Sequence, residues 1–194
     1  VDDAVVWGFP GGPTVPPGSY QARLTVGEWS ETVSFDVVQD PRLDVTQEGA
    51  EANYELAKTI WEELTRSHEA IARIRDIRGQ VQSIAERVDD EAVTEKADEI
   101  SEALTGIEKK LNQVKNESSQ DVLNFPPQID NQLIYLQGIV EGTLGAPLQS
   151  SVDRFGELKT ELDGYLAELD AVVEQIPEFE ELVGEKRSQR IFVE

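Results

Sequence analysis

"AKTIWEELTRSHEAIARIRDIRGQVQSIAERV", residues 57–88, decides the architecture of this chain. Ala57, Ile60, Leu64, Ser67, Ile71, Ile74, Arg78, Val81, Ala85 and Val88 recur at alternating steps of three and four. Residues so spaced share one face of an α-helix, as in a coiled-coil seam. Trp61 widens the apolar face, while Ser67 and Arg78 interrupt it. Gly79 lowers local helix propensity without ending a packed helix.

Toward the C-terminus the rhythm repeats. Thr46 or Gln47 starts the first helix, and "VDDEA" at 88–92 forms an acidic corner with Asp89 or Asp90 at the next start. A second stripe holds Val93, Ala97, Ile100, Leu104, Ile107, Leu111 and Val114. "NESSQDVLNFPPQ", residues 116–128, breaks it, and Pro126–Pro127 open a third segment lined by Ile129, Leu133, Leu136 and Val140. Gly142, Gly145 and Pro147 mark a turn. Ser151, Phe155, Leu158, Leu162, Tyr165, Leu169, Val172 and Ile176 form the fourth stripe, which Pro177 ends or kinks. Each stripe needs a second apolar surface, so residues 43–194 are expected to form an antiparallel four-helix bundle with a C-terminal tail.

Toward the N-terminus the period changes to two. Ala4, Val5, Val6 and Trp7 suggest a short strand. Tyr20, Ala22, Leu24 and Val26 alternate with Gln21, Arg23 and Thr25; Val33, Phe35 and Val37 alternate again after Gly27–Glu28. Glycine at the first turn position suits a type II′ hairpin. Asp40–Pro41–Arg42 is the exit. Residues 1–42 therefore read as a partial β-module, a piece of an immunoglobulin- or fibronectin-like sheet. Its strands are too few to stand alone, so they should lie against the helices or complete a sheet supplied upstream. The fold class is α+β, mainly α.

Composition narrows the functions. The chain carries 39 acidic and 17 basic residues, a net charge of −22. Such a field repels nucleic acid and anionic membranes; it fits a solvated acidic surface, including one adapted to high salt. No run of 18 apolar residues reads as a membrane span, and nothing resembles a signal peptide. With no cysteine there are no disulfides or thiolate sites. A chain that begins at Val1 and lacks methionine reads as a piece of a longer product.

Chemistry-bearing patterns are sparse. "GGPTVPPG", residues 11–18, matches neither GxGxxG nor GxxxxGK[ST], and its prolines lack the N–H donors that a phosphate loop needs. It reads as a turn leading into a strand. His68 is the single histidine, without Glu-x-x-His or HExxH context, and reads as an edge or polar-face residue. Asp89–Asp90–Glu91 and Glu95, Asp98, Glu99 and Glu102 lack calcium-loop spacing. No catalytic, cofactor-binding or metal-ligating residue is assigned. Arg73, Arg75 and Arg78 form a basic segment, with Arg78 on the seam. They are expected to pair with carboxylates of another helix or the β-module, or else to form a patch for an acidic ligand or partner. Trp7, Trp29 and Trp61 are expected at a buried boundary between strands and helices.

The succession Gly12–Pro13, Pro17–Gly18–x–Tyr20, Arg23–Leu24–x–Val26 and Asp40–Pro41–Arg42 before a helix is distinctive. With Arg75 and Arg78 in an IRxxR pattern, then Pro147, Phe155 and Leu158, it resembles the C-terminal region of large BNR-repeat, sortilin-type β-propeller proteins. These are often labelled glycosyl hydrolases. The resemblance implies a preceding propeller, then the end of a β-module and a helical region, in a secreted or extracytoplasmic protein. The hydrolase label belongs to the propeller, and no catalytic residue carries over. The function expected is a non-catalytic structural or accessory region whose partner is that propeller. The alternatives are a protein- or glycan-interaction module, or part of a glycoside hydrolase whose active site lies elsewhere. Nucleic-acid binding and membrane insertion are not expected.

Overall fold

A computed structural model describes residues 11–118, 120–143 and 145–188. The expected strand at Ala4–Trp7 lies outside the described residues. Within them the protein is a mainly helical α+β fold, a four-helix bundle with one antiparallel hairpin. The hairpin is β1 (Gly18–Val26) and β2 (Trp29–Val37); the helices are α1 (Gln47–Val88), α2 (Glu91–Leu111), α3 (Ile129–Glu141), α4 (Gln149–Val173) and α5 (Ile176–Ser188).

Local chemistry sets the boundaries. Thr46 caps α1 by accepting the Gly49 N–H at 3.1 Å. Asp89 ends α1 in the left-handed region at φ 51°, and Asp90 then caps α2 by accepting the Ala92 and Val93 amides. The α2 helix stops at Leu111 with Asn112 as its C-cap, so Val114 leaves the seam it was expected to extend and is exposed. Pro177 produces a kink: α4 ends at Val173 and α5 resumes at Ile176, with Pro177 in a first turn that needs no N–H donor. Beyond the kink the chain is helical, where a tail was expected, and this last helix buries Phe179 and Val183.

The helices are arranged as three rods. At 42 residues, α1 is about 63 Å long. The α2 helix runs back along its C-terminal half, with Arg75 and Arg78 on Glu108 and Gln82 on Ser101. The α3 helix continues in the same direction along the N-terminal half, where Asn53 meets the Val140 carbonyl and His68 meets Asp130. Glu108 and Asp130 are 22 residues apart, yet their partners Arg75 and His68 are only seven apart. Most of the segment 112–128 is therefore looped out of a nearly continuous middle rod. The third rod, α4 with α5, runs parallel to α1 and antiparallel to the middle rod: Arg66 meets Asp163, Arg73 meets Asp170, and Lys110 meets Glu168. Between the rods, Ile60, Ile71, Ile74, Leu104, Leu133 and Leu162 are fully buried.

The hairpin stands apart from this core. Its register pairs Val26 with Trp29, and Gly27 has φ +61° while Glu28 keeps an ordinary φ, the type II′ pattern. Both faces are open along almost its whole length. Among the described residues the helices do not cover it, and Trp29 is exposed rather than buried at a boundary. Trp61 is half-buried on α1.

Candidate functional site

The three arginines separate by helical geometry. Arg75 and Arg78, one turn apart on α1, converge on Glu108 of α2. Arg75 Nε donates to Glu108 Oε1 at 2.7 Å, and Arg78 Nη1 donates to Oε2 at 2.7 Å and to the Thr105 hydroxyl at 3.0 Å. The Glu108 side chain is 5% exposed, and those of Arg75 and Arg78 are 27% and 30% exposed. One buried carboxylate thus serves two half-buried guanidiniums, and the polar interruption of the seam is answered from the neighbouring helix. Arg73 faces the other way and meets Asp170 of α4 at 3.2 Å, with both partners exposed. Beside the Glu108 node lies an open hollow of about 700 Å³, bordered by Thr105, Val114, Asn116 and Glu117.

A second ionic contact ties α1 to α4. Buried Glu63 receives Arg66 of its own helix and Lys159 of α4, and Asp163 accepts from both cations at 3.1 and 2.9 Å. The Asp163 hydrogen bond raises Lys159, and Lys159 in turn lowers Asp163. Both groups remain solvated, so screening leaves those shifts little effect on stability.

His68 lies at an edge of the core, its side chain 20% exposed. Its ring turns toward α3, where Nε2 lies 3.8 Å from Oδ2 of Asp130, a residue with no exposed surface. Asp130 Oδ1 accepts the Asn131 amide, but Oδ2 and His68 Nε2 have no hydrogen-bond partner among the described residues. Burial pushes the Asp130 carboxyl up from its ordinary value, against the downward pull of His68. Among the described residues no three His, Asp or Glu side chains are arranged to hold a metal ion, and no helix is long and apolar enough to cross a membrane.

The glycine–proline stretch is a docked arm. Gln137, buried on α3, donates to the Gly11 carbonyl at 3.1 Å, and the Thr14 amide donates to Glu141 Oε1 at 2.7 Å. Gln47 at the start of α1 donates to the Pro17 carbonyl at 2.8 Å, and the Tyr20 hydroxyl closes onto the Pro16 carbonyl. Prolines 13, 16 and 17 fix their φ angles and leave carbonyls as the groups available to the bundle. The arm delivers β1 from the end of the bundle where α1 begins and α3 ends.

The hairpin it delivers has two unlike faces. Ser19 bonds Asp36, Arg23 bonds Thr32 and Thr25 bonds Ser30 across the polar face. The other face carries Tyr20, Ala22, Leu24 and Val26 opposite Phe35, Val33, Glu31 and Trp29. There Leu24, Val26, Trp29, Val33 and Phe35 are 48–64% exposed, and the Tyr20 and Phe35 rings lie 6.0 Å apart. Among the described residues no helix covers this face.

Sequence reasoning named the arginines but not Glu63, Glu108 or Asp130, which no local spacing separates from the other 36 acidic residues. Comparison with protein-family models, curated proteins and solved structures finds no match to the chain.

Proposed function

We propose that this chain is a non-catalytic accessory region that braces and positions a β-rich body at the end of a helical rod. The observation that carries this reading is the docked arm: Gln137, Glu141 and Gln47 grip residues 11–17 and fix the direction in which the chain reaches the hairpin. The principal charged groups have structural partners, with Glu108 holding Arg75 and Arg78, and Glu63 holding Arg66 and Lys159. The resemblance to the C-terminal region of BNR-repeat, sortilin-type proteins supplies the body: a propeller and the start of a β-module, in a secreted or extracytoplasmic protein. Any glycoside hydrolysis then belongs to the propeller.

The test is removal of residues 43–194 from the gene-encoded polypeptide. The remaining body should unfold at lower temperature, with turnover per folded molecule unchanged. Loss of turnover at unchanged stability would assign chemistry to the helices instead.

A second reading, a module for acidic glycans or acidic protein segments, draws on the open hollow beside Arg75 and Arg78. A uronate-containing oligosaccharide titrated against the ¹⁵N-labelled chain should then shift the Thr105 and Asn116 amides, and unmoved resonances would dismiss it.

A further inference from the structure

We infer that His68 and Asp130 form a proton-operated catch between α1 and α3, which holds the arm-gripping helix while the pair keeps its proton and loosens it when the proton leaves. This deepens the accessory reading above and rests on its docked arm. His68 Nε2 and Asp130 Oδ2 face each other at 3.8 Å, and neither atom has a hydrogen-bond partner among the described residues. An imidazolium beside a carboxylate, or an imidazole beside a carboxylic acid, places one proton on that line and leaves no net charge. Loss of the proton puts one negative charge on a residue with no exposed surface, in a chain already at −22. Burial already raises the Asp130 carboxyl, in keeping with a proton held in the folded state. The catch therefore opens as pH rises.

The other charged groups on the packed elements have partners of their own. On α2, Glu108 is held by Arg75 and Arg78. On α4, Arg154 bonds Gln132 and Glu157, and Lys159 meets Glu63 and Asp163. On α1, Arg66 meets Glu63 and Asp163, Arg73 meets Asp170, and Glu69 is exposed. Asp130 is the second residue of α3, directly after the looped-out segment. Gln137 and Glu141, which take the Gly11 carbonyl and the Thr14 amide, lie about 10 and 16 Å further along the same helix. A change at the start of α3 thus reaches the grip on the arm through one short helix.

The chain has one histidine, so its imidazole resonance reads the pair directly. Hydrogen exchange of the ¹⁵N-labelled chain from about pH 5 to about 8, where imidazole changes charge, tests the catch, with the α2 amides as internal reference. Protection of the α3 amides relative to α2 should fall severalfold across that range, with the midpoint of the His68 titration. Protection of the Thr14 amide should fall with it. Asp130→Asn and His68→Gln should each flatten the ratio. A constant ratio in the wild-type chain would overturn the inference, as would an unchanged pH dependence in Asp130→Asn. Loosening of α3 with Thr14 still protected would overturn the link to the arm. The truncation experiment measures the accessory reading separately, so a failed catch leaves that reading standing.

Discussion

Glu108 is the charged residue whose loss the bundle should feel most. Glu108→Gln leaves two half-buried guanidiniums with no carboxylate between them and should lower stability by about 2–3 kcal/mol, below the penalty for a fully buried pair because both arginines keep some water. Arg78→Ala should cost more than Arg73→Ala, whose exposed pair with Asp170 is worth at most about 1 kcal/mol. Urea melts of the three variants check the order, and equal losses at Arg73 and Arg78 would refute it. The seam position of Arg78 announces in the sequence that a carboxylate must answer it; which of 39 acidic residues does so depends on helix register, which composition and periodicity do not encode. Asp130 was hidden in the same way, and it makes a pH prediction. Its raised carboxyl means that the folded state holds the proton more tightly than the unfolded chain. That stabilisation is complete below the unfolded value and fades as pH rises through the folded one. Asp130→Asn has no such decline, so its stability relative to wild type should improve as pH rises from about 4 toward neutrality. Urea melts across that range read the difference, and a flat profile would count against it.

At the scale of elements, the sequence signals were strongest where one local cause acts. Alternation and a first-position glycine located the hairpin and its turn, and stripes with capping residues located α1 to α4. The α5 helix was missed because Phe179, Leu182 and Val183 come after a proline and are too few to make a stripe. Val114 was overcounted because periodicity runs on past a helix end that Asn112 sets. Two glycines of α1 separate local propensity from tertiary contact. A Cβ at Gly49 would sit 2.9 Å from the Ala146 backbone nitrogen, so Gly49→Ala should cost about 1–3 kcal/mol. Nothing lies within 4 Å of a Cβ at Gly79, so Gly79→Ala should stabilise by up to about 1 kcal/mol. Opposite signs are the expected result of thermal melts on the pair. A gain at Gly49 would show that the 142–148 turn yields without cost.

For the whole molecule, stripes established that each helix has an apolar side but not which neighbour covers it, so the end-to-end placement of α2 and α3 against α1 was not legible. The acidity was legible, and its consequence is measurable. Raising salt from about 0.05 to about 0.5 M shortens the screening length from roughly 14 to 4 Å. The melting temperature should rise as repulsion among the surface carboxylates is relieved. The deficit of Glu108→Gln should persist at high salt, since buried pairs are screened less. A melting temperature that fell with salt would mean that the surface ion pairs, not the net charge, dominate. The looped-out segment 112–128 carries a different consequence. Because α2 and α3 run in the same direction on either side of it, cleavage within the segment would change neither the order nor the sense of any helix. A chain cut there becomes two polypeptides, one holding the hairpin with α1 and α2, the other holding α3 to α5, joined chiefly along α1 with α3 and α2 with α4. Covalent continuity at that point contributes proximity rather than structure. The nicked protein should keep its helical spectrum at high concentration and come apart on dilution, behaving as a heterodimer that happens to be encoded in one chain.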